Sequence, residues 1–136
     1  MLRLLACLLE NHRTIDSTAS YESVPPIIYG ILAYINENLF SDITSHGAAQ
    51  YVGYTHNYFC RVFKQYFGSS FVEYIKNARI SAAKSIIAKE PDILTSKLAE
   101  MVGYGNTSYF ISVFKTVTGL TPSVYAKNLF GTNHSP

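Results

Sequence analysis

Tryptophan is absent from these 136 residues, and cysteine, methionine and proline are scarce, at two, two and five. Two cysteines, Cys7 and Cys60, build neither a disulfide framework nor a zinc site. Charged residues make up 15% and hydrophobic ones 48%, a balance that excludes charge-driven disorder and fits a packed globular chain. No apolar run approaches the roughly 20 residues that span a bilayer. The opening MLRLLACLLENH is apolar over residues 4–9, and LLAC at 4–7 resembles a lipoprotein cleavage box. Only six residues precede Cys7, however, and Glu10 closes the run, whereas a signal's apolar region takes roughly 7–15 residues before the cut. A short amphipathic helix over residues 2–9 is expected instead, in a cytoplasmic protein. Catalytic constellations are missing too. His12, His46, His56 and His134 are scattered, with no H-E-x-x-H, nucleophile elbow or glycine-rich phosphate loop. No enzyme activity, cofactor or metal is expected. His46 and His56 read as surface residues or phosphate neighbours beside a turn.

Phenylalanine and tyrosine are plentiful, at eight and eleven, so the core is expected to be aromatic. The net charge of +2 is small, but it is unevenly spread. Residues 1–42 hold two basic and five acidic side chains; residues 43–136 hold nine basic and four acidic. The basic part suits a polyanion partner.

That basic part also repeats itself. YFCRVFK at 58–64 returns as YFISVFK at 109–115, each followed four residues on by a glycine, Gly68 and Gly119. Upstream, Ala49, Val52, Gly53 and Tyr54 match Ala99, Val102, Gly103 and Tyr104 at an offset of 50; one inserted residue then shifts the offset to 51. Downstream, Tyr74, Lys76 and Asn77 match Tyr125, Lys127 and Asn128. This is duplication of a supersecondary unit, and solenoids need about three or more copies. Each unit reads as two short helices around a glycine turn. Thr44 or Ser45 starts the first helix of unit one and Thr55 or Asn57 the second. Phe59 and Phe63, at i and i+4 with Val62 beside them, form an apolar face; Asn57, Cys60, Arg61 and Lys64 form the other. A small residue, a glycine and a bulky apolar residue at Ala49, Gly53 and Phe59 give the spacing of a helix-turn-helix. With Ser45 and Ala48 small and Gly47 a poor helix former, the first helix of unit one is expected to pack loosely. Between the units, residues 71–90 contain no glycine or proline. Tyr74, Ile75, Ala78, Ala82, Ile86 and Ile87 can line one stripe of a helix about 28 Å long. A spacer of that size suits two recognition helices in successive turns of a major groove, which recurs about every 34 Å.

The run from Tyr74 through Arg79, Ile80 and Ala83 to Ile86 and Ile87, then LAEMVGY (98–104), SYFISVFK (108–115) and GLTPSVY (119–125), resembles the DNA-binding domain of the AraC/XylS family of bacterial transcription regulators. The resemblance covers residues 27–130. It implies an all-α fold of seven helices, near 27–39, 45–53, 56–67, 70–89, 95–102, 107–118 and 122–129. These form two helix-turn-helix subdomains joined by a central linker helix. Residues 1–26 are then an N-terminal appendage and linker, a possible remnant of an upstream domain. Either the chain is a stand-alone reader or it is the tail of a longer regulator.

The function implied is sequence-specific binding of double-stranded DNA, with activation as the expected mode and RNA polymerase as a further partner. Self-association through the N-terminal segment is expected, and no membrane contact. The family's recognition positions map onto His56, Asn57, Cys60 and Arg61 in the first unit and onto Asn106, Thr107, Ile111 and Ser112 in the second. Arg61 can pair with guanine O6 and N7, Asn57 with adenine, and Ile111 with a thymine methyl. Lys64 and Lys115 are better placed for phosphates. Ser112 stands where the family often has arginine, so the second unit is expected to read DNA more weakly. Arg79 is expected to make structural or backbone contacts. The alternative is a helical interaction module that binds RNA polymerase or another regulator without reading DNA sequence.

Overall fold

A computed structural model describes residues 24–131, which form seven α-helices and, among the described residues, no strand. They are α1 (Pro26–Asn38), α2 (Ser45–Val52), α3 (His56–Phe67), α4 (Phe71–Lys89), α5 (Thr95–Met101), α6 (Thr107–Thr118) and α7 (Pro122–Gly131). Each of the seven helices implied by the family resemblance is present, with ends moved by two residues at most, and the helix expected over residues 2–9 lies outside the described residues. Pro26, expected to close a linker, opens α1, where a proline's missing N–H has no helical partner to lose. The expected appendage lies outside the described residues except for its last three positions.

The helices fall into two compact units. The first holds α1, α2, α3 and the first two residues of α4. Its core joins Ile28, Ile31, Leu32 and Ile35 of α1 to Ala48 and Ala49 of α2 and to Phe59, Val62 and Phe63 of α3. Phe71 closes this core edge-on, with ring centroids 5.5 Å from Phe59 and 5.3 Å from Phe63. Such edge-to-face pairs suit the positive rim and negative face of aromatic rings.

The small residues of α2 pack tightly, contrary to expectation. Ala48 and Ala49 are buried. A Cβ on Gly47 would sit 2.6 Å from the Tyr34 hydroxyl oxygen. The weak helix former is the residue that admits Tyr34. Thr44 supplies the cap, its Oγ1 accepting from the Gly47 N–H at 3.0 Å.

The second unit holds the rest of α4, with α5, α6 and α7. Its core repeats the first: Leu98, Ala99 and Val102, then Phe110, Val113 and Phe114. The contribution of α4 is Ile80, Ala83 and Ile87, which stand at i, i+3 and i+7 and so share one face. The stripe drawn from periodicity included Ala82 and Ile86, which are half-buried at the edge of this face, and omitted Ile80 and Ala83.

Leu39–Asp42, between α1 and α2 in the chain, counts with this second unit. Arg79 holds it: its Nε donates to the Leu39 carbonyl (2.8 Å) and an Nη to the Ser41 carbonyl (2.6 Å). The guanidinium also lies over the Tyr104 ring, 5.2 Å from its centroid. Burial pushes the Tyr104 phenol above its ordinary pKa, and the adjacent Arg79 charge opposes that shift. Arg79 is thus a structural clamp on main-chain carbonyls.

Candidate nucleic-acid interface

The two turns are built alike. In the first, the Gly53 N–H donates to the Gln50 carbonyl and the Tyr54 N–H to the Ala49 carbonyl. In the second, Gly103 donates to Glu100 and Tyr104 to Ala99. These are the paired bonds of a Schellman ending, which needs a left-handed residue; Gly53 has φ of 78° and Gly103 of 94°. The next helix starts on a side-chain cap in each case. Thr55 Oγ1 accepts from the Tyr58 N–H, and Asn106 Oδ1 accepts from the Tyr109 N–H at 2.9 Å. Phe59 and Phe63, like Phe110 and Phe114, are fully buried and lock α3 and α6 onto the helices before them.

This geometry corrects the alignment of the second unit. Asn106 is the N-cap and stands opposite Thr55, because Gly105 is the inserted residue. His56 therefore pairs with Thr107 and Asn57 with Ser108, an exposed residue that the sequence reading missed. The signal was available, since the offset of 51 already aligned Tyr58 with Tyr109.

The outer face of α3 carries Asn57, Tyr58, Arg61, Lys64 and Gln65, all exposed. On α6 the same face carries Ser108, Tyr109, Ser112, Lys115 and Thr116. Neither helix contains an acidic residue, so both outer faces are compatible with phosphate. His56 and Cys60 are only half-exposed. The His56 ring stacks on His46 with centroids 3.6 Å apart and planes 8° apart. Its Nε2 lies 2.8 Å from Ser45 Oγ and 3.5 Å from Cys60 Sγ. His56 thereby ties the start of α3 to the start of α2. Ile111, the counterpart of Cys60, packs partly against the core of its own unit. Asn57 and Arg61, by contrast, project outward, and the Arg61 guanidinium lies 5.7 Å from the centroid of the Tyr58 ring.

A family model described as a helix-turn-helix domain matches residues 48–128, from within α2 into α7. The chain belongs to the AraC-type helix-turn-helix family. Among its family relatives, the uncharacterized HTH-type transcriptional regulator YtdP of Bacillus subtilis is 36% identical over 95 residues, which are 70% of this chain and 12% of YtdP. The regulatory protein PocR of Salmonella typhimurium is 29% identical over 105 residues, 77% of this chain and 34% of PocR. The chain thus spans about a third or less of the length of these relatives.

Among solved structures, the C-terminal domain of AraT, a response regulator from Geobacillus stearothermophilus, is similar with a TM-score of 0.72 and 27% identity, over 80% of this chain and 88% of that one. The AraC-type fold alone is shared with the DNA-binding domain of AdpA, solved with a target DNA (16% identity, TM-score 0.71, 83% of this chain and all of that one). No helix among the described residues is long and apolar enough to cross a membrane.

Proposed function

We propose that this chain is the DNA-reading part of a bacterial transcription regulator, binding double-stranded DNA sequence-specifically through α3 and α6. The observation that carries this reading is the outer face of α3. A capped helix, locked from behind by Phe59 and Phe63, displays Asn57, Arg61 and Lys64 with no carboxylate among its residues. Asn57 and Arg61 match adenine and guanine edges, and Lys64 and Lys115 suit phosphates. His56 and Cys60 act from behind by fixing the helix start, and Asn106 by capping α6. Thr107, Ile111 and Ser112 give the second unit a shorter, less charged reading face. As a reader of chromosomal DNA the protein works in the cytoplasm, and contact with RNA polymerase would turn binding into activation.

The test is the salt dependence of binding to a selected duplex. With about six phosphates neutralised, a plot of log affinity against log salt has a slope near −5. A flat plot, combined with salt-tolerant capture of RNA polymerase, would instead favour the interaction module.

Self-association is the second part of the proposal, assigned to the N-terminal leucines because that segment is apolar and acidic where the rest is basic. Sedimentation of the full chain is expected to show a dimer that deletion of residues 1–23 abolishes. A monomer at all concentrations rejects this part.

A further inference from the structure

We infer that Tyr58 is a positioning residue for Arg61, and that Tyr54 backs it, so that the first recognition helix presents its guanidinium partly ordered before DNA arrives. The inference rests on the DNA-reading proposal and deepens it. Tyr58 and Arg61 stand at i and i+3 on α3, where side chains are neighbours. The guanidinium carbon lies 5.7 Å from the Tyr58 ring centroid, within the range of cation–π attraction. Tyr58 is itself held: its ring stacks on Tyr54, with centroids 5.0 Å apart and planes 28° apart. All three side chains are exposed, Tyr54 by 46% and Tyr58 by 39%. The two rings stay partly in solvent while stacked, so the stack can hold the Arg61 side chain as well as stabilise the start of α3. A planar guanidinium resting on a ring has fewer rotamers to lose when it forms its two parallel bonds to a guanine edge.

The second unit supplies the contrast. Tyr104, at the position of Tyr54, is only 9% exposed and lies beneath Arg79 of its own core. Tyr109, at the position of Tyr58, is 62% exposed, and Ser112 replaces the arginine that it would carry. Tyr104 and Tyr109 still touch, with centroids 5.9 Å apart and planes at 59°, but the guanidinium on that pair is Arg79 of α4. Only in the first unit does the pair end on an arginine of the recognition helix itself. An exposed cation–π contact biases a population by a factor of roughly 2–5, and that is the expected size of its effect on base discrimination.

The experiment uses the full chain with Tyr58→Leu, Tyr58→Phe, Arg61→Ala and the Tyr58→Leu/Arg61→Ala pair. Each is bound to the selected duplex and to duplexes altered at one base pair. Tyr58→Leu is expected to reduce discrimination roughly 2–5-fold at the base pair sensed by Arg61. Tyr58→Phe is expected to retain it, and Tyr58→Leu to change nothing further once Arg61 is alanine. In the free protein, the Arg61 methylene protons are expected to show an upfield ring-current shift that Tyr58→Leu removes and Tyr58→Phe keeps.

Equal loss of affinity on every duplex, or the same loss with Arg61 already removed, overturns the positioning role while leaving DNA reading intact. A wild-type chain with no sequence preference overturns both.

Discussion

Gly103→Ala is expected to destabilise the second unit by about 2–5 kcal/mol, while Gly53→Ala costs the first unit only about 1–2 kcal/mol. The two glycines occupy the same place in the duplicated turn and share a positive φ. An L-residue with a Cβ there costs about 1–2 kcal/mol. Their surroundings differ. A Cβ on Gly53 would meet nothing within 4 Å. On Gly103 it would lie 3.0 Å from the Phe40 Cα, the Phe40 carbonyl oxygen and the Arg79 guanidinium carbon. Two of those atoms are backbone and the third belongs to a side chain fixed by two main-chain carbonyls, so none yields cheaply, and overpacking adds about 1–3 kcal/mol. Urea unfolding of the two single variants against the wild type measures the difference. Equal shifts of the midpoints would mean that residues 39–42 do not press on the Gly103 turn in solution.

Arg61→Ala is expected to cost about 1–3 kcal/mol on the preferred duplex and to relax specificity at one base pair. A guanidinium offers a two-pronged donor to a guanine edge, whereas Ser112 at the matching position of α6 offers one short hydroxyl. Ser112→Ala should cost less. Lys115→Ala should weaken all sequences by a similar factor, because phosphates are alike everywhere. The half-site read by α3 is then the one of higher information content. Binding of the three variants to matched and singly altered duplexes decides the point. If Arg61→Ala lowers affinity for every sequence equally, Arg61 grips phosphate and the assignment of base readout is wrong. Combined with the Tyr58 variants, the same measurements separate what Arg61 does from how it is held.

Much of this molecule was written locally and could be read from the chain. The glycine turns, the helix caps and the phenylalanine pairs at i and i+4 depend on residues within a turn or two of one another; the duplication showed as a repeat at an offset of 50–51, and the count of seven helices came with the family resemblance. Helix caps and hydrophobic spacing act over that same short range. The outward position of Asn57, Arg61 and Lys64 followed from the inward position of Phe59, Val62 and Phe63, since one helix face fixes the other.

What the tertiary structure alone decided depends on residues far apart in sequence. Arg79 lies over Tyr104, and with Phe40 it closes the space around Gly103, while the matching turn at Gly53 and Tyr54 stays open. Tyr34 reaches the one position in α2 where only a glycine leaves room for its hydroxyl. Ser45 and His46 draw His56 back from the outer face. Two copies of one motif carry the same local instructions, but each meets different neighbours. Packing and hydrogen bonding to those neighbours, which no local spacing records, left Tyr54 of one copy exposed and set Tyr104 of the other into a core.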